Sequence, residues 1–370
     1  MTEPWDAHAP DDPRYAPVGE VPPPQPSTVI SVLAGFAGLL LLCVAILLPT
    51  DYVVLKPGPV LNTLGAYDGT QLITITGHAT YPTSGQLDMT TVRTMGAPGS
   101  RVSLISVALA WLRPSESAVP RELYYPKDES AEEIEQQDQA MMVDSQESAA
   151  VAALVSLGVS VPADLAVAGV RPKTPATGWF TYGDVIQAVG GVRVVSIRAL
   201  KAQIRAVRPG RSVTFTVLRA GQAVRVAATK PASAGNDWLL TDLYIDARYQ
   251  LPFTVTFGLK DVVGPSAGHM FALGVIDKLT AGDMTGGKRI AGTGTIDAAG
   301  NVGAIGGIRQ KLVGARRAGA QYFLAPAANC NEVVGHVPDG LQVVKTATLK
   351  QSRGYVAKIA AGQAAGLPTC

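Results

Sequence analysis

Two residues in the last third of the chain have the types and surroundings for covalent chemistry. Ser266 sits in Gly264-Pro265-Ser266-Ala267-Gly268, after the strand-like Phe253–Phe257 and before the helical stretch Ala267–Leu279. That order predicts a strand, a tight turn and a helix. A serine at such a turn exposes its hydroxyl beside backbone N–H groups able to hold an oxyanion. The hydroxyl is a poor nucleophile until a base removes its proton. Lys311 stands 45 residues later, in Gly306-Gly307-Ile308-Arg309-Gln310-Lys311-Leu312. It lies among Ile305, Ile308, Leu312 and Val313, in the first turn of a predicted helix whose positive end opposes an ammonium, so its amine is set to lose a proton near neutral pH. Taken alone, Ser266 reads as a helix N-cap and Lys311 as a solvated lysine. Each gains chemical meaning only from the other.

A different base would imply a different enzyme. Gly-x-Ser-x-Gly also fits the nucleophile elbow of α/β-hydrolases, which takes an Asp and then a His from downstream. Asp297 and His336 come in that order, but no HGGG-type loop precedes Ser266, and Val334–Gly340 around His336 reads as a surface loop. A Ser-His-Asp hydrolase is therefore the lesser alternative. Gly282-Asp283-Met284-Thr285-Gly286-Gly287-Lys288 has the spacing of a phosphate-binding loop. Arg289 stands where a Ser or Thr would ligate magnesium, and the stretch follows a helix and precedes a strand, the reverse of the required order. It reads as a plain loop, and no nucleotide cofactor is expected.

The elements that must position these residues belong to a chain of 370 residues, with room for about two or three domains. Apolar residues make up 47% and charged ones 16%, enough to bury cores. A formal charge of +2 with four histidines is unlike a nucleic-acid binder dominated by phosphate contacts. Cys43, Cys330 and Cys370 form no CxxC pair, so neither a disulfide scaffold nor a cysteine-based zinc site is expected, and no metal is assigned. Val29–Leu48 holds Ser31 as its single polar side chain, and as a helix it is about 30 Å long, the thickness of a bilayer core. The residues before it carry Glu3, Asp6, Asp11, Asp12 and Glu20 against Arg14, the opposite of a signal peptide's basic start. An uncleaved span over residues 28–49 follows, behind a disordered acidic, proline-rich tail over 1–27.

Further on, Leu72–Thr76 and Leu87–Val92 alternate as strands and Val102–Leu112 has helical spacing. Asp128–Glu147 holds eight acids and no base and leads into the apolar Ala149–Leu157, which predicts an amphipathic or solvated helix, with a wet acidic face, as an acidic helical connector over 126–157. Residues 158–230 form a second unit. Gly183-Asp184-Val185-Ile186 enters a Gly190-Gly191 turn, a helix Ile197–Val207 comes next, and Ser212–Leu218 with Ala223–Ala228 closes as a hairpin. This unit resembles a PDZ domain of the bacterial type, with Gly190 where that family usually has Asn. The resemblance implies that an extended peptide is bound as an added strand.

From Gly264 to about Glu332 the chain resembles the proteolytic domain of the Lon protease family, through "GPSAG", "GTGTIDAAGNVGAIGG", "IRQKLVGARRAGA" and "QYFLAPAAN" in that order. With the span and the PDZ-like unit, it is similar to membrane-anchored PDZ–Lon-like proteases. That resemblance implies an α+β fold with one transmembrane helix, a PDZ-like domain and a Lon-type proteolytic domain over 240–370, with strands and a helix from 62–125 belonging to the same protease fold. It implies Ser266 as nucleophile, Lys311 as general base and Thr293 as the hydroxyl that positions the amine, with Gly264, Pro265 and Ala267 shaping the turn. The family often has an acid just before Gly-Pro-Ser; here Val263 takes that place and Asp261 lies two positions earlier. The function implied is a membrane-anchored, ATP-independent serine endopeptidase acting on protein or peptide substrates, without nucleic acid, assembled as a homo-oligomer (a hexamer by analogy). The resemblance also implies a catalytic body outside the cytoplasm, against a faint charge bias, where Cys330 and Cys370 could form a disulfide or Cys370 be a frayed end. A catalytically inactive PDZ scaffold on a protease fold is the remaining alternative.

Overall fold

The computed structural model describes residues 26–126, 129–259 and 262–370; most of the acidic tail, Asp128 and Asp261 lie outside these. The chain opens with α1 (Pro26–Leu47), which Pro49, lacking an N–H, brings to an end. Within it Val29–Leu47 is long and apolar enough to cross a membrane, and none of it is buried by the rest of the protein. Next come β1 (Tyr52–Asn62), β2 (Ile73–Thr76) and β3 (Gln86–Met95), then α2 (Leu104–Leu112) and β4 (Ser117–Pro120). The long helix α3 (Ala131–Ser156) starts at a reciprocal cap in which Ser130 and Glu133 satisfy each other's backbone N–H groups.

The middle unit contains β5 (Ala163–Val170), β6 (Val185–Val189), α4 (Ile197–Ala206), β7 (Ser212–Arg219), β8 (Gln222–Thr229) and β9 (Leu243–Tyr249). Its antiparallel sheet runs β8-β7-β6-β5-β9, with the short Val192–Arg193 strand also on β6. Phe180, Ile186, Leu200, Phe215 and Val217 fill its core. The C-terminal part contributes β10 (Thr254–Phe257), α5 (Gly268–Leu279), β11 (Arg289–Gly292), α6 (Ile308–Arg317), β12 (Tyr322–Pro326), α7 (Cys330–Val333), β13 (Gln342–Thr346) and α8 (Leu349–Ala360).

The second sheet runs β13-β12-β11-β3-β1-β4, so residues 52–120 supply half of the sheet that carries the C-terminal helices. The first three pairings along this order are parallel, and β3 pairs antiparallel with β1 and β1 with β4. Next to this sheet β2 pairs with β10, again joining the two ends of the chain around the inserted middle unit.

One boundary differs from the sequence reading. The proteolytic part was expected from 240, yet Leu243–Tyr249 pairs along its whole length with β5 in the PDZ-like sheet. Alternation drives this: Leu243, Ile245, Ala247 and Tyr249 face that unit's core while Tyr244, Asp246 and Arg248 face out. In α3 the acidic Glu132, Glu133, Glu135, Asp144 and Glu147 face solvent while the other side packs inward. Met142, Ser145 and Ala149–Leu154 are buried, and the small side chains let α3 pack closely along α5. Cys330 and Cys370 are joined as a disulfide that ties the C-terminus to α7.

Candidate active site

Ser266 lies in a short 3-10 turn, Pro265–Ala267, that leads into α5. Gly264 enters it at φ 88°, a left-handed backbone that a side chain would strain. Three anchors hold the turn. Gly294 N–H and the Thr293 hydroxyl both donate to the Ser266 carbonyl, at 2.9 and 3.0 Å. From the other side, the Ser145 hydroxyl of α3 donates to the Pro265 carbonyl at 2.9 Å. A Cβ on Gly268 would strike that same Ser145 oxygen, so the approach of α3 requires glycine there.

Lys311 is the fourth residue of α6, whose N-cap Gly307 has φ 67°, again a conformation suited to glycine. Val92 of β3 packs where a Gly307 side chain would be, so α6 starts tight against the sheet. The Lys311 side chain is only 2% exposed. Its Nζ lies 2.8 Å from Ser266 Oγ and 2.9 Å from Thr293 Oγ1. Burial pushes its pKa down from 10.5 to about 7. Because the Thr293 hydroxyl already donates to the Ser266 carbonyl, it can only accept from the amine. A neutral Lys311 therefore gives one N–H to Thr293 and can turn its lone pair toward the serine hydroxyl. The Gly268 N–H donates to the Pro265 carbonyl, closing the 3-10 turn that carries Ser266 into α5.

A second polar chain, unmarked by any motif, lies directly behind. His269 is fully buried in the first turn of α5 and burial pushes its pKa down to about 4, so it is neutral. Its Nδ1 is 3.1 Å from the Thr293 carbonyl and its Nε2 2.7 Å from Ser352 Oγ, which is itself 2.7 Å from Thr346 Oγ1. With a carbonyl as the Nδ1 partner, Nδ1 carries the proton and Nε2 accepts from Ser352. The Thr293 backbone is thereby pinned while its hydroxyl faces Lys311. A lone histidine three residues after Ser266, entering the apolar Met270–Ile276, was the available signal for it. Ser145 had none.

Asp297 and His336 are not brought to the serine. The Asp297 carboxylate accepts from Ala299 N–H and from Asn301 in its own turn, and His336 Nδ1 meets the Val334 carbonyl in the loop after α7. The phosphate-loop look-alike is a turn between α5 and β11, where the Asp283 carboxylate accepts the Thr285 and Gly286 N–H groups that a phosphate would need. Among the described residues no three His, Cys, Asp or Glu side chains converge in a metal-binding cluster.

Known proteins resemble two stretches of this chain. Residues 254–359 match the Lon protease (S16) C-terminal proteolytic domain, and residues 141–229 match a PDZ domain. A Lon protease of Clostridioides difficile is 40% identical over 79 residues, 21% of this chain and 10% of that protein. One from Fusobacterium nucleatum is 36% identical over 101 residues, 27% of this chain and 12% of its own. The chain thus spans only about a tenth of the length of these relatives. Among solved structures, an HtrA-type protease with a decapeptide overlaps 24% of this chain and 35% of its own at 23% identity and a TM-score of 0.16, too local to bear on the architecture. The matched Lon-type stretch holds Ser266, Thr293 and Lys311, while β1, β3 and β4 of the same sheet lie outside it.

Proposed function

We propose that this chain, which carries a Lon-type proteolytic domain and a PDZ domain, is a membrane-anchored serine endopeptidase that uses a Ser266–Lys311 dyad and needs no ATP. The observation that carries this reading is the Lys311 amine, buried and depressed to about pKa 7 between two hydroxyls. Neutral Lys311 takes the Ser266 proton as Oγ attacks the peptide carbonyl. The oxyanion forms beside the serine turn, at the positive start of α5. Collapse expels the amine half of the substrate, which leaves with the proton held by Lys311. Water then repeats the sequence on the acyl-enzyme, giving its proton to Lys311 and releasing the acid. Thr293, fixed by His269 and by its bond to the serine turn, keeps the amine in line.

The PDZ unit is the recruiting element in this reading, with unfolded or tail-exposed protein segments as its ligands. β9 is an edge strand of that sheet, open to strand addition. Beside it a cavity of about 850 Å³ runs between α4 and the proteolytic domain, lined by Val159, Val161, Lys201, Arg205, Tyr249 and Asp297. A segment held along β9 would leave the PDZ unit toward the Asp297 turn, which follows Thr293 by four residues. Anchoring rests on α1, and a catalytic body outside the cytoplasm is supported by the Cys330–Cys370 disulfide, a bond of oxidising compartments.

The test is hydrolysis of fluorescently labelled casein by the full chain in detergent, without nucleotide, beside Lys311→Ala and His336→Ala. Cleavage by the unaltered chain and by His336→Ala, lost in Lys311→Ala, is the expected outcome. Cleavage that survives Lys311→Ala overturns the dyad. Absence of cleavage from every form, in detergent and in vesicles alike, favours an inactive scaffold.

A further inference from the structure

We infer that α2 is an interfacial helix that lies in the lipid headgroup region, a second bilayer contact beside the α1 span. The inference rests on the reading of α1 as a membrane anchor and goes beyond it. The sequence of α2, Leu-Ile-Ser-Val-Ala-Leu-Ala-Trp-Leu, has no charge and one polar side chain, Ser106. Val107 and Ala110 are buried against the body. Leu104, Leu109, Trp111 and Leu112 are exposed, Trp111 by 63% and Leu112 by 78%. Leu104, Ala108 and Leu112 recur every four residues, so the outward face is a continuous apolar stripe where a helix bathed in water carries charge.

What covers that stripe is decided by where it is tied. Pro49–Thr50, directly after α1, pairs antiparallel with Val102–Ser103, directly before α2. Leu104 N–H donates to the Leu48 carbonyl at 3.0 Å, and the Thr50 hydroxyl to the Val102 carbonyl at 2.8 Å. The first turn of α2 is therefore bonded to the residues where the apolar span ends, and α2 touches α1 itself. The stripe continues the exposed apolar surface of Leu47 and Leu48, so whatever surrounds the end of the span meets α2 as well. Nine residues make a helix of about 13 Å, too short to cross and suited to lying in the interface plane. Trp111 stands edge-on to Tyr52, a tryptophan–tyrosine pair of the kind enriched at headgroup level. Two contacts, a span and an interfacial helix, would stop the body from pivoting and would hold Ser266 at a fixed height above the bilayer.

The full chain carrying Cys43→Ser, with one spin label introduced by Leu112→Cys, Leu40→Cys or Tyr182→Cys, tests this in phosphatidylcholine–phosphatidylglycerol vesicles. Cys43 is the free thiol to be removed, and all three label sites are exposed in the protein. Collision rates with oxygen and with a water-soluble nickel chelate are compared. The expected result is that oxygen prevails at 40 and at 112 and the chelate at 182. Oxygen at 40 with the chelate prevailing at 112 overturns the inference and leaves the anchor standing. Chelate at both 40 and 112 removes the anchor and the inference together. Spin–spin broadening at 112, with low access to both reagents, would mean that a second copy of this chain covers α2, and would equally overturn it.

Discussion

The two six-stranded sheets bury very different things. Among the described residues, the PDZ-like unit buries only Asp184 and Lys230 as charged groups, and both are partnered. Arg219 grips Asp184 through two hydrogen bonds of 2.7 Å, and Lys230 donates to the Val207 carbonyl. The proteolytic part buries Lys311, His269, Asp277, Asp88, Thr293 and Ser352, among others, and several of these titrate far from their ordinary ranges. A binding module needs a firm apolar core and an open edge. A site that removes a proton from serine needs an amine taken out of water, and that amine needs a polar scaffold around it. The contrast teaches which unit gives up stability for chemistry.

The sharpest way to break the contrast is at the dyad. Ser266→Ala and Lys311→Ala are each expected to lower casein hydrolysis by at least about 10³-fold, and the double variant by little more, because the two act as one unit. Lys311→Met should in addition raise the melting temperature at pH 7. Burial holds the folded lysine at about 7, so between pH 7 and its ordinary 10.5 the unfolded chain carries a proton that the folded chain has released. Stability therefore rises with pH across that window and carries the full penalty below it, on the order of a few kcal/mol, which the apolar side chain removes. A Lys311→Met variant that melts lower than the unaltered chain would mean that the amine is not held against its hydration.

The same depression sets the rate profile. Only unprotonated Lys311 can act as base, so kcat/KM is expected to fall about tenfold per pH unit below pH 7 and to level off above it. A profile with its midpoint near 10 would place the amine in water and sink the electrostatic argument.

On the other side of the comparison, Asp184→Ala should injure the PDZ-like unit and spare the chemistry. Burial alone would raise the pKa of Asp184, but the Arg219 and Thr181 hydrogen bonds outweigh it and hold the carboxylate below its ordinary range. Removing it leaves the Arg219 guanidinium and the Thr181 N–H without their acceptor, at a cost of about 2–3 kcal/mol to that unit. Cleavage of a short unstructured peptide should stay within about twofold while cleavage of casein drops. Equal losses on both substrates would mean that the two sheets are mechanically one body.

How much of this could be read from residues alone follows the same division. The meeting of Ser266 and Lys311 was legible through the resemblance of their two glycine-rich motifs to the Lon-type domain, since the residues alone also offered His336 as a base; Gly264 and Gly307 take positive φ where the serine turn and α6 begin. The middle unit was legible because its hairpin and glycine turns are local. What escaped was long-range: nothing within Leu243–Tyr249 says that it joins a strand eighty residues earlier, and nothing in an acidic helix marks Ser145 as the donor to the serine turn. Partners at such separations are chosen by the assembled core, not by neighbours in sequence.

The smallest expected effect is also the one that separates packing from chemistry inside the proteolytic domain. Asp277 is fully buried on α5, and its oxygens make no hydrogen bond of good geometry. Burial raises its pKa to about 6, offset only in part by the Met284 N–H. As pH rises from its ordinary 3.8 through 6 the folded chain keeps a proton that the unfolded chain gives up, so Asp277 lowers stability across that window. His269 acts in the opposite sense: with a folded pKa of about 4 against an ordinary 6.5, it lowers stability as pH falls from 6.5 to 4. In the unaltered chain the two slopes offset each other between about pH 4 and 6. Asp277→Asn is expected to stabilise by about 1–3 kcal/mol at pH 7 and to expose the histidine slope, giving a chain that melts higher at neutral pH and loses stability more steeply on acidification. Hydrolysis at pH 8 should be unchanged, because Asp277 touches neither the dyad nor its supports. Were the melting temperature at pH 7 to fall instead, the carboxylate would have to be ionised and partnered in the folded protein, and the proteolytic core would be less costly in buried charge than the comparison with the PDZ-like unit requires.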